Sequence, residues 1–209
     1  VVEGPKRLEE LFHQAQHEAA VSFHSADVYL EKFIQKPRHI EFQVLGDRHG
    51  KVVSLGEREC SIQRRHQKLL EEAPSPKLDE ATRESLSNKI GSALSEIGYS
   101  NAGTIEFLMD GNGDLFFIEM NARIQVEHPA TEAVTNLDIV KAQLAIAAGE
   151  GAGMRQRDLK VSGHAIEFRL IAEAPARDLR PDTGVITELR LPGGPGVRVD
   201  THIFSGYEV

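Results

Sequence analysis

Glu119-Met120-Asn121-Ala122-Arg123-Ile124-Gln125-Val126-Glu127-His128-Pro129 alternates without a break between polar and apolar side chains. Positions 119, 121, 123, 125 and 127 carry chemically capable groups; 118, 120, 122, 124 and 126 are apolar. A period of two predicts an extended strand with one set on each face. Unpaired charges on a buried face are costly, so a polar row of this kind suits a functional surface. The expected strand ends where Pro129 biases His128 towards an extended backbone.

Upstream, Thr104 to Asp110 and Leu115 to Asn121 read as two strands, separated by Gly111-Asn112-Gly113-Asp114. Asn-Gly is a strong short hairpin signal. A two-residue turn centred on it pairs Asp110 with Leu115 and sets Glu106 directly opposite Glu119. Like charges opposed on a sheet repel unless a cation lies between them. Glu106, Glu119 and Asn121 offer hard oxygen ligands of the kind that suit magnesium shared with phosphates. A solvated strand face with two glutamates in water is the plain alternative. The opposition also depends on register, which a single bulge would change.

The run Glu119–Glu132 resembles the signature of the biotin carboxylases, members of the ATP-grasp enzymes. Further stretches carry the same resemblance: Glu31-Lys32-Phe33 with Pro37-Arg38-His39, Glu59 through Lys68, and Glu71-Glu72-Ala73-Pro74. So do Gly163-His164-Ala165-Ile166-Glu167-Phe168-Arg169 and Pro192-Gly193-Gly194-Pro195-Gly196-Val197-Arg198. Several long motifs in order are far more specific than one short pattern.

The resemblance implies an α+β chain. Residues 1–30 would close an ATP-grasp lid subdomain. Residues 31–155 would form the ATP-grasp C-terminal lobe, an antiparallel sheet with flanking helices. Residues 156–209 would open a mainly β C-terminal domain. It also implies a chain cut at both ends, without the family's N-terminal nucleotide-fold domain and glycine-rich lid loop, and so inactive alone.

The implied reaction joins bicarbonate to a ring nitrogen of biotin at the expense of ATP. Glu127 is the candidate general base for bicarbonate; a lone glutamate is otherwise a surface acid. Arg123 would grip the anion with its planar fork, and Lys68 would add a second positive charge. Gln125 and Val126 match the rest of the bicarbonate pocket. Arg169 would stabilise the biotin enolate; read alone, it forms an exposed pair with Glu167 on one strand face. Glu31 and Lys32 match the hinge that reads adenine. His39, Gln63 and His66 match positions near the ribose and phosphates. Glu106, Glu119 and Asn121 would hold magnesium, or manganese in its place, bridging phosphate oxygens. Phe168 and Ala122 stand where the family more often has cysteine and threonine; alternation turns both away from the polar face.

The implied partners are a carrier protein or domain bearing biotin as substrate, a carboxyltransferase, and further copies of the full-length chain. A carbamoyl-phosphate-synthetase-type ligase shares the Glu…Glu-x-Asn face but lacks the continuation Gln125 to Pro129. A non-catalytic scaffold piece is the third reading.

Composition sets outer bounds. The 209 residues suffice for one large or two small domains. A net charge of −8 argues against nucleic acid. The basic run Arg64 to Lys68 is local; it reads as a solvated turn or as an anion pocket. The single cysteine, Cys60, excludes an internal disulfide and reads as a packing residue in a reducing compartment. No apolar run is long enough to span a membrane. A cytoplasmic location is expected, or the mitochondrial matrix if a leader preceded Val1.

The remaining pattern alternates helices and strands. Helices are expected over Lys6–Ala20, from the acids after Pro76 to Ile97, and over Ile139–Ala148, the last apolar all round and so buried. Asn136 or Asp138 would cap it. Strands are expected at Val28–Phe33, His39–Leu45, Lys51–Leu55, His164–Ile171, Val185–Leu191 and from Val197. Gly149 to Gly153 reads as a flexible boundary.

Overall fold

A computed structural model describes all 209 residues. Six strands form one antiparallel sheet: β1 (Arg38–Gly46), β2 (Val52–Arg64), β3 (Gln67–Ala73), β4 (Asn101–Met109), β5 (Leu115–Asn121) and β6 (Ala165–Phe168). Their spatial order is β5-β4-β1-β2-β3-β6. Period two on β1 divides the sheet's work between its faces. Ile40, Phe42 and Val44 point to one side, where Ile105, Phe107 and Met109 of β4 join them. Helix α2 (Glu80–Glu96) covers that side with Ile90 and Leu94. Asp79 caps α2, its carboxylate accepting from the Thr82 backbone N–H at 2.7 Å.

On the opposite face Leu45 meets Val53, Leu55 and Ala102 beneath Ile139 and Ile146 of α4 (Ile139–Ala147). Asp138, rather than Asn136, caps α4. Helix α3 (His128–Thr135) sets Ala130 and Val134 against Ala73 of β3. The rest of this face is polar and buried: Glu41 and Gln43 of β1, Arg58 of β2, Thr104 and Glu106 of β4. That patch makes the site.

Two bulges set the register. In β2, Gly56 adopts φ +88°, a conformation that favours glycine, where two residues of β2 face Gln43. In β5, Ile118 is the extra residue. The β4–β5 connection differs from the two-residue turn expected. Met109, not Asp110, pairs with Leu115, and Asp110 instead caps the loop by accepting from the Asn112 and Asp114 N–H groups. The bulge at Ile118 restores the slip, so Glu106 lies opposite Glu119 after all.

Other expectations are corrected. The strand ends at Asn121, and residues 122–127 form irregular turns before α3. Pro129 lies in the first turn of that helix, where its missing N–H costs nothing. Segment 25–34 contains no strand, because nothing pairs with it; it lies against α1 (Leu8–Phe23), lining an apolar groove of about 280 Å³. β2 is longer than expected. It runs into a turn at Arg65 and His66, both at positive φ, before β3. Helix α4 is not buried all round: Val140 and Leu144 are exposed.

The Gly149–Gly153 stretch is tied down, since the Ala152 N–H donates to Asp47 at 3.1 Å. Gln156 completes the backbone bonding of Ser54 with its side-chain amide. Beyond Phe168 the expected strands are absent. A two-residue pair, β7 (Glu173–Ala174) with β8 (Arg180–Pro181), and a bridge between Val185 and Glu208 are the only ladders. Phe168 and Ala122 are both exposed, so neither repacks a core. Arg198, after the Pro192–Gly196 turn, binds Glu132 of α3 at 2.6 Å.

Close packing of the sheet against the Tyr99 loop gives a test. A Cβ on Gly46 would lie 2.4 Å from the Tyr99 carbonyl oxygen, a backbone atom that cannot step aside. Gly46→Ala should lower unfolding stability by about 1–3 kcal/mol. Equilibrium denaturation with an unchanged midpoint would contradict this packing.

Candidate functional site

The polar face opens into a cleft of about 440 Å³ between the Arg65–His66 turn, β4–β5 and residues 121–127. Its lining holds every candidate residue except Glu31 and Lys32: His39, Gln63, His66, Lys68, Glu106, Glu119, Asn121, Arg123, Gln125, Val126, Glu127 and Arg169. Arg65 and Gln67 join them. Glu31 and Lys32 lie on the exposed segment before β1, with the Lys32 ammonium 4.2 Å from the Phe116 ring centroid.

Lys68 is the hub. Its Nζ donates to Glu127 Oε1 at 2.7 Å, to Glu106 Oε1 at 3.1 Å and, by a short contact, to Glu41 Oε2. Burial lowers the Lys68 pKa, but Glu41 and Glu127 outweigh it and hold it above the usual lysine value. Glu127 is buried on the turn before α3, and Arg169 takes its second oxygen at 2.8 Å. Arg169 Nε also lies 2.8 Å from Glu71 Oε1. The arginine therefore faces Glu127 and Glu71, not Glu167 as an exposed strand pair would.

His39 Nε2 lies 2.9 Å from Glu106 Oε2 and 3.6 Å from Glu41 Oε2. Burial pulls its pKa down, yet Glu106 and Glu41 carry it up to about 9. Glu106 is held below the usual carboxylate range, as His39 and Lys68 overcome its burial. Glu41 falls well below that range for a like reason, with Arg58 the leading counter-charge to burial. Cys60 is fully buried, and burial followed by the Glu41 charge pushes its thiol well above the usual value. A thiol so placed is an inert packing group.

Glu106 and Glu119 face each other across β4 and β5. The Asn121 amide nitrogen bridges them at 3.0 and 3.2 Å. Arg123 reaches the Asn121 amide oxygen at 3.3 Å and the Ile124 carbonyl at 3.2 Å. The tightest groups of possible metal donors differ from this set: His39–Glu41–Glu106 and Glu41–Cys60–Glu127. Both include Glu41, whose charge Arg58 and Lys68 already balance. Glu119 is exposed and makes no ion pair, whereas Glu106 is paired with His39 and Lys68 and the Asn121 oxygen is taken by Arg123, so a hard divalent ion on this face would take its oxygen ligands first from Glu119 and Glu106. Gln63 turns its amide to the Cys60 carbonyl at 2.8 Å, and His66 occupies the turn tip.

Glu41, Gln43 and Arg58 gain no site role in the sequence reading, and Glu71 enters it only as part of a matching motif, again without one. The signal for the first two was present. The alternation that places Ile40, Phe42 and Val44 inside also places His39, Glu41 and Gln43 together on the other face.

One family model, the carbamoyl-phosphate synthase L chain ATP-binding domain, matches residues 1–154. The chain belongs to that family. A second model, the biotin carboxylase C-terminal domain, matches residues 167–209. The biotin carboxylase of Nostoc sp. is 52% identical over all 209 residues, which span 47% of that protein. A pyruvate carboxylase subunit from Methanothermobacter thermautotrophicus is 53% identical over 194 residues, covering 93% of this chain and 39% of that one. Among solved structures, the biotin carboxylase domain dimer of Hydrogenobacter thermophilus 2-oxoglutarate carboxylase was determined with ADP, its magnesium salt and bicarbonate. It superposes with a TM-score of 0.90 at 50% identity, over 98% of this chain and 45% of that one. The Campylobacter jejuni biotin carboxylase, in complex with a form of ATP, gives 0.91 at 46% identity over 100% of this chain and 46% of that one. The chain thus spans less than half the length of these relatives. The resemblance to biotin carboxylases and the ATP-grasp α+β fold are borne out. No helix is long and apolar enough to cross a membrane.

The charge cluster yields a pH test. Burial, then the Glu71 and Glu127 charges, raise the Glu167 carboxyl from the usual 4.5 to about 7. The folded state then holds a proton the unfolded state releases. The stability this proton contributes is complete below pH 4.5 and is lost as pH rises through about 7. Glu167→Gln cannot lose it. Allowing for partial exposure, the variant should gain on the order of 1 kcal/mol over the parent between pH 5 and pH 8. Denaturant unfolding at both values would contradict the cluster if the gap between the two proteins stayed constant.

Proposed function

We propose that the protein carrying this chain is a biotin carboxylase, an ATP- and magnesium-dependent ligase that carboxylates biotin with bicarbonate. The observation that carries this reading is Glu127, a buried carboxylate held between Lys68 and Arg169 beside the opposed Glu106–Glu119 pair. A site that must hold a small anion, move its proton and meet a nucleotide's phosphates needs this combination. The full-chain similarity to biotin carboxylases and the bicarbonate, ADP and magnesium of the Hydrogenobacter structure support it.

The proposed roles are those the family resemblance implies. Lys68, Arg123, Gln125 and the Val126 backbone receive bicarbonate. Glu127 takes its proton once the anion displaces one of the two cations now on the carboxylate. The bicarbonate oxygen attacks the γ-phosphorus of ATP, ADP leaves, and carboxyphosphate breaks down to carbon dioxide and phosphate. The ring nitrogen of biotin, its proton passed to that phosphate, then attacks carbon dioxide while Arg169 bears the enolate's charge. Glu106, Glu119 and Asn121 would hold magnesium, which neutralises charge on the phosphate oxygens. His39, Gln63 and His66 face the nucleotide, and Glu31 and Lys32 its adenine. Residues 31–155 form the nucleotide and bicarbonate lobe, and 156–209 begin the next domain.

Partners in this reading are a biotin carrier, a carboxyltransferase and a second copy of the chain, in the cytoplasm. An acyl-CoA is the proposed final acceptor. A separate carboxyltransferase sets that choice, and pyruvate and 2-oxoglutarate carboxylases among the relatives accord with a shared first half-reaction. The match of 167–209 to a biotin carboxylase domain favours this over a carbamoyl-phosphate-synthetase-type reaction.

Two substitutions test the roles in the enzyme that carries this chain. Arg169→Ala should cut biotin carboxylation about a hundredfold, and bicarbonate-dependent ATP cleavage by about tenfold or less. Equal losses in both would remove Arg169 from the biotin step. Glu119→Gln should raise the magnesium requirement about tenfold or more and leave the unfolding midpoint unchanged, because Glu119 is exposed. Unaltered magnesium dependence would contradict the donor set.

A further inference from the structure

Arg58 lies at the floor of the cleft, fully buried, and touches no space a substrate could enter. All five of its N–H groups are committed. Nε donates to Glu41 Oε1 at 2.8 Å. Nη1 donates to Gln43 Oε1 at 2.8 Å and to Thr131 Oγ1 at 2.7 Å. Nη2 donates to Gln125 Oε1 at 2.9 Å and, at 3.5 Å, to Thr104 Oγ1. A guanidinium has no acceptor, so each neighbour must turn an oxygen towards it.

The effect reaches the cleft wall. A glutamine amide can present either end, and its environment chooses. With Oε1 drawn to Arg58, the Gln125 Nε2 has to face the cleft, where it donates to Glu106 Oε1 at 2.7 Å. Glu41 is divided in the same way. Oε1 is held by Arg58, and Oε2 is left for Lys68. Thus one guanidinium orders both a donor beside the anion site and the carboxylate that anchors its lysine.

We propose that Arg58 is a positioning residue for the anion: by fixing the Gln125 amide with its N–H₂ towards the cleft and Glu41 beneath Lys68, it gives the pocket its donor polarity. This deepens the reading of the cleft as a bicarbonate site and rests on it. Lysine keeps the charge against Glu41 but presents its donors from one point, so it cannot also fork to Gln125 and Thr131.

The test uses Arg58→Lys in the full enzyme. The KM for bicarbonate should rise about tenfold to a hundredfold, the value of a lost charge-assisted hydrogen bond. The KM for MgATP should stay within about twofold. A lower kcat with both KM values unchanged would mark Arg58 as merely structural and overturn the proposal. The second readout needs no turnover, and so separates this proposal from the assigned reaction. The Gln125 side-chain N–H₂ signals, identified by their loss in Gln125→Glu, should be shifted and protected from exchange in the parent. They should move to free-amide behaviour in Arg58→Lys; signals that do not move would also overturn the proposal. Should Arg58→Lys fail to fold, Thr131→Val removes one acceptor of Arg58 and no atom of the cleft. It should shift the same two readouts in the same direction by a smaller factor, and no shift in either would overturn the proposal.

Discussion

The Lys68 ammonium, set against Glu41, Glu106 and Glu127, is the contact on which the site depends. A buried carboxylate without a counter-charge would cost several kcal/mol or take up a proton. Here four buried carboxylates, Glu41, Glu71, Glu106 and Glu127, meet Arg58, Lys68, Arg169 and His39, whose pKa Glu106 and Glu41 raise. Burial and the neighbouring carboxylates still raise Glu71 above the usual range and Glu167 to about 7, so these two acids are the ones the cluster does not fully balance. Balance of this sort lets one face of a sheet be polar and still folded. An anion entering the cleft would exchange with carboxylates already paired, so its charge meets donors oriented beforehand.

The sheet supplies the geometry. Period two gives β1 an apolar face that packs on α2 and a second face whose far end is capped by α4. The near end of that second face is left to Glu41, Gln43, Arg58 and Glu106. The bulges at Gly56 and Ile118 then align strands whose registers would otherwise slip by one residue. A one-residue slip on β5 would turn Glu119 away from Glu106 and expose the wrong side chains to the cleft.

Much of this was legible in the sequence, for local reasons. The helices over Leu8–Phe23, Glu80–Glu96 and Ile139–Ala147 follow from apolar spacing, and Asp79 and Asp138 cap the last two. The Glu106–Glu119 opposition was also read, although by two departures that cancel: a loop that takes in Asp110 as well, and a bulge that adds Ile118 to β5. The extended reading of residues 122–127 failed because alternation alone does not supply a neighbouring strand. The same lack of a partner explains Val28–Phe33, while near Val185 the only partner is the short 206–209 segment, which supports a bridge rather than a longer ladder. The Arg65–His66 turn lacked the usual Asn-Gly, so its positive φ values left no mark in composition. Arg58 was hidden for another reason. Its partners lie on β1, β4, α3 and the 122–127 turns, and only the assembled sheet brings them to one guanidinium.

The central claim is that the cleft holds bicarbonate against ATP and passes the carboxyl group to biotin. The most direct measurement is steady-state ATP consumption by the full-length protein at saturating magnesium, with and without bicarbonate and free biotin. ATP cleavage that requires bicarbonate and accelerates with biotin is the expected result. Cleavage indifferent to both would contradict it, leaving an ATP-grasp enzyme with another acceptor and Glu127 and Arg169 without their assigned roles.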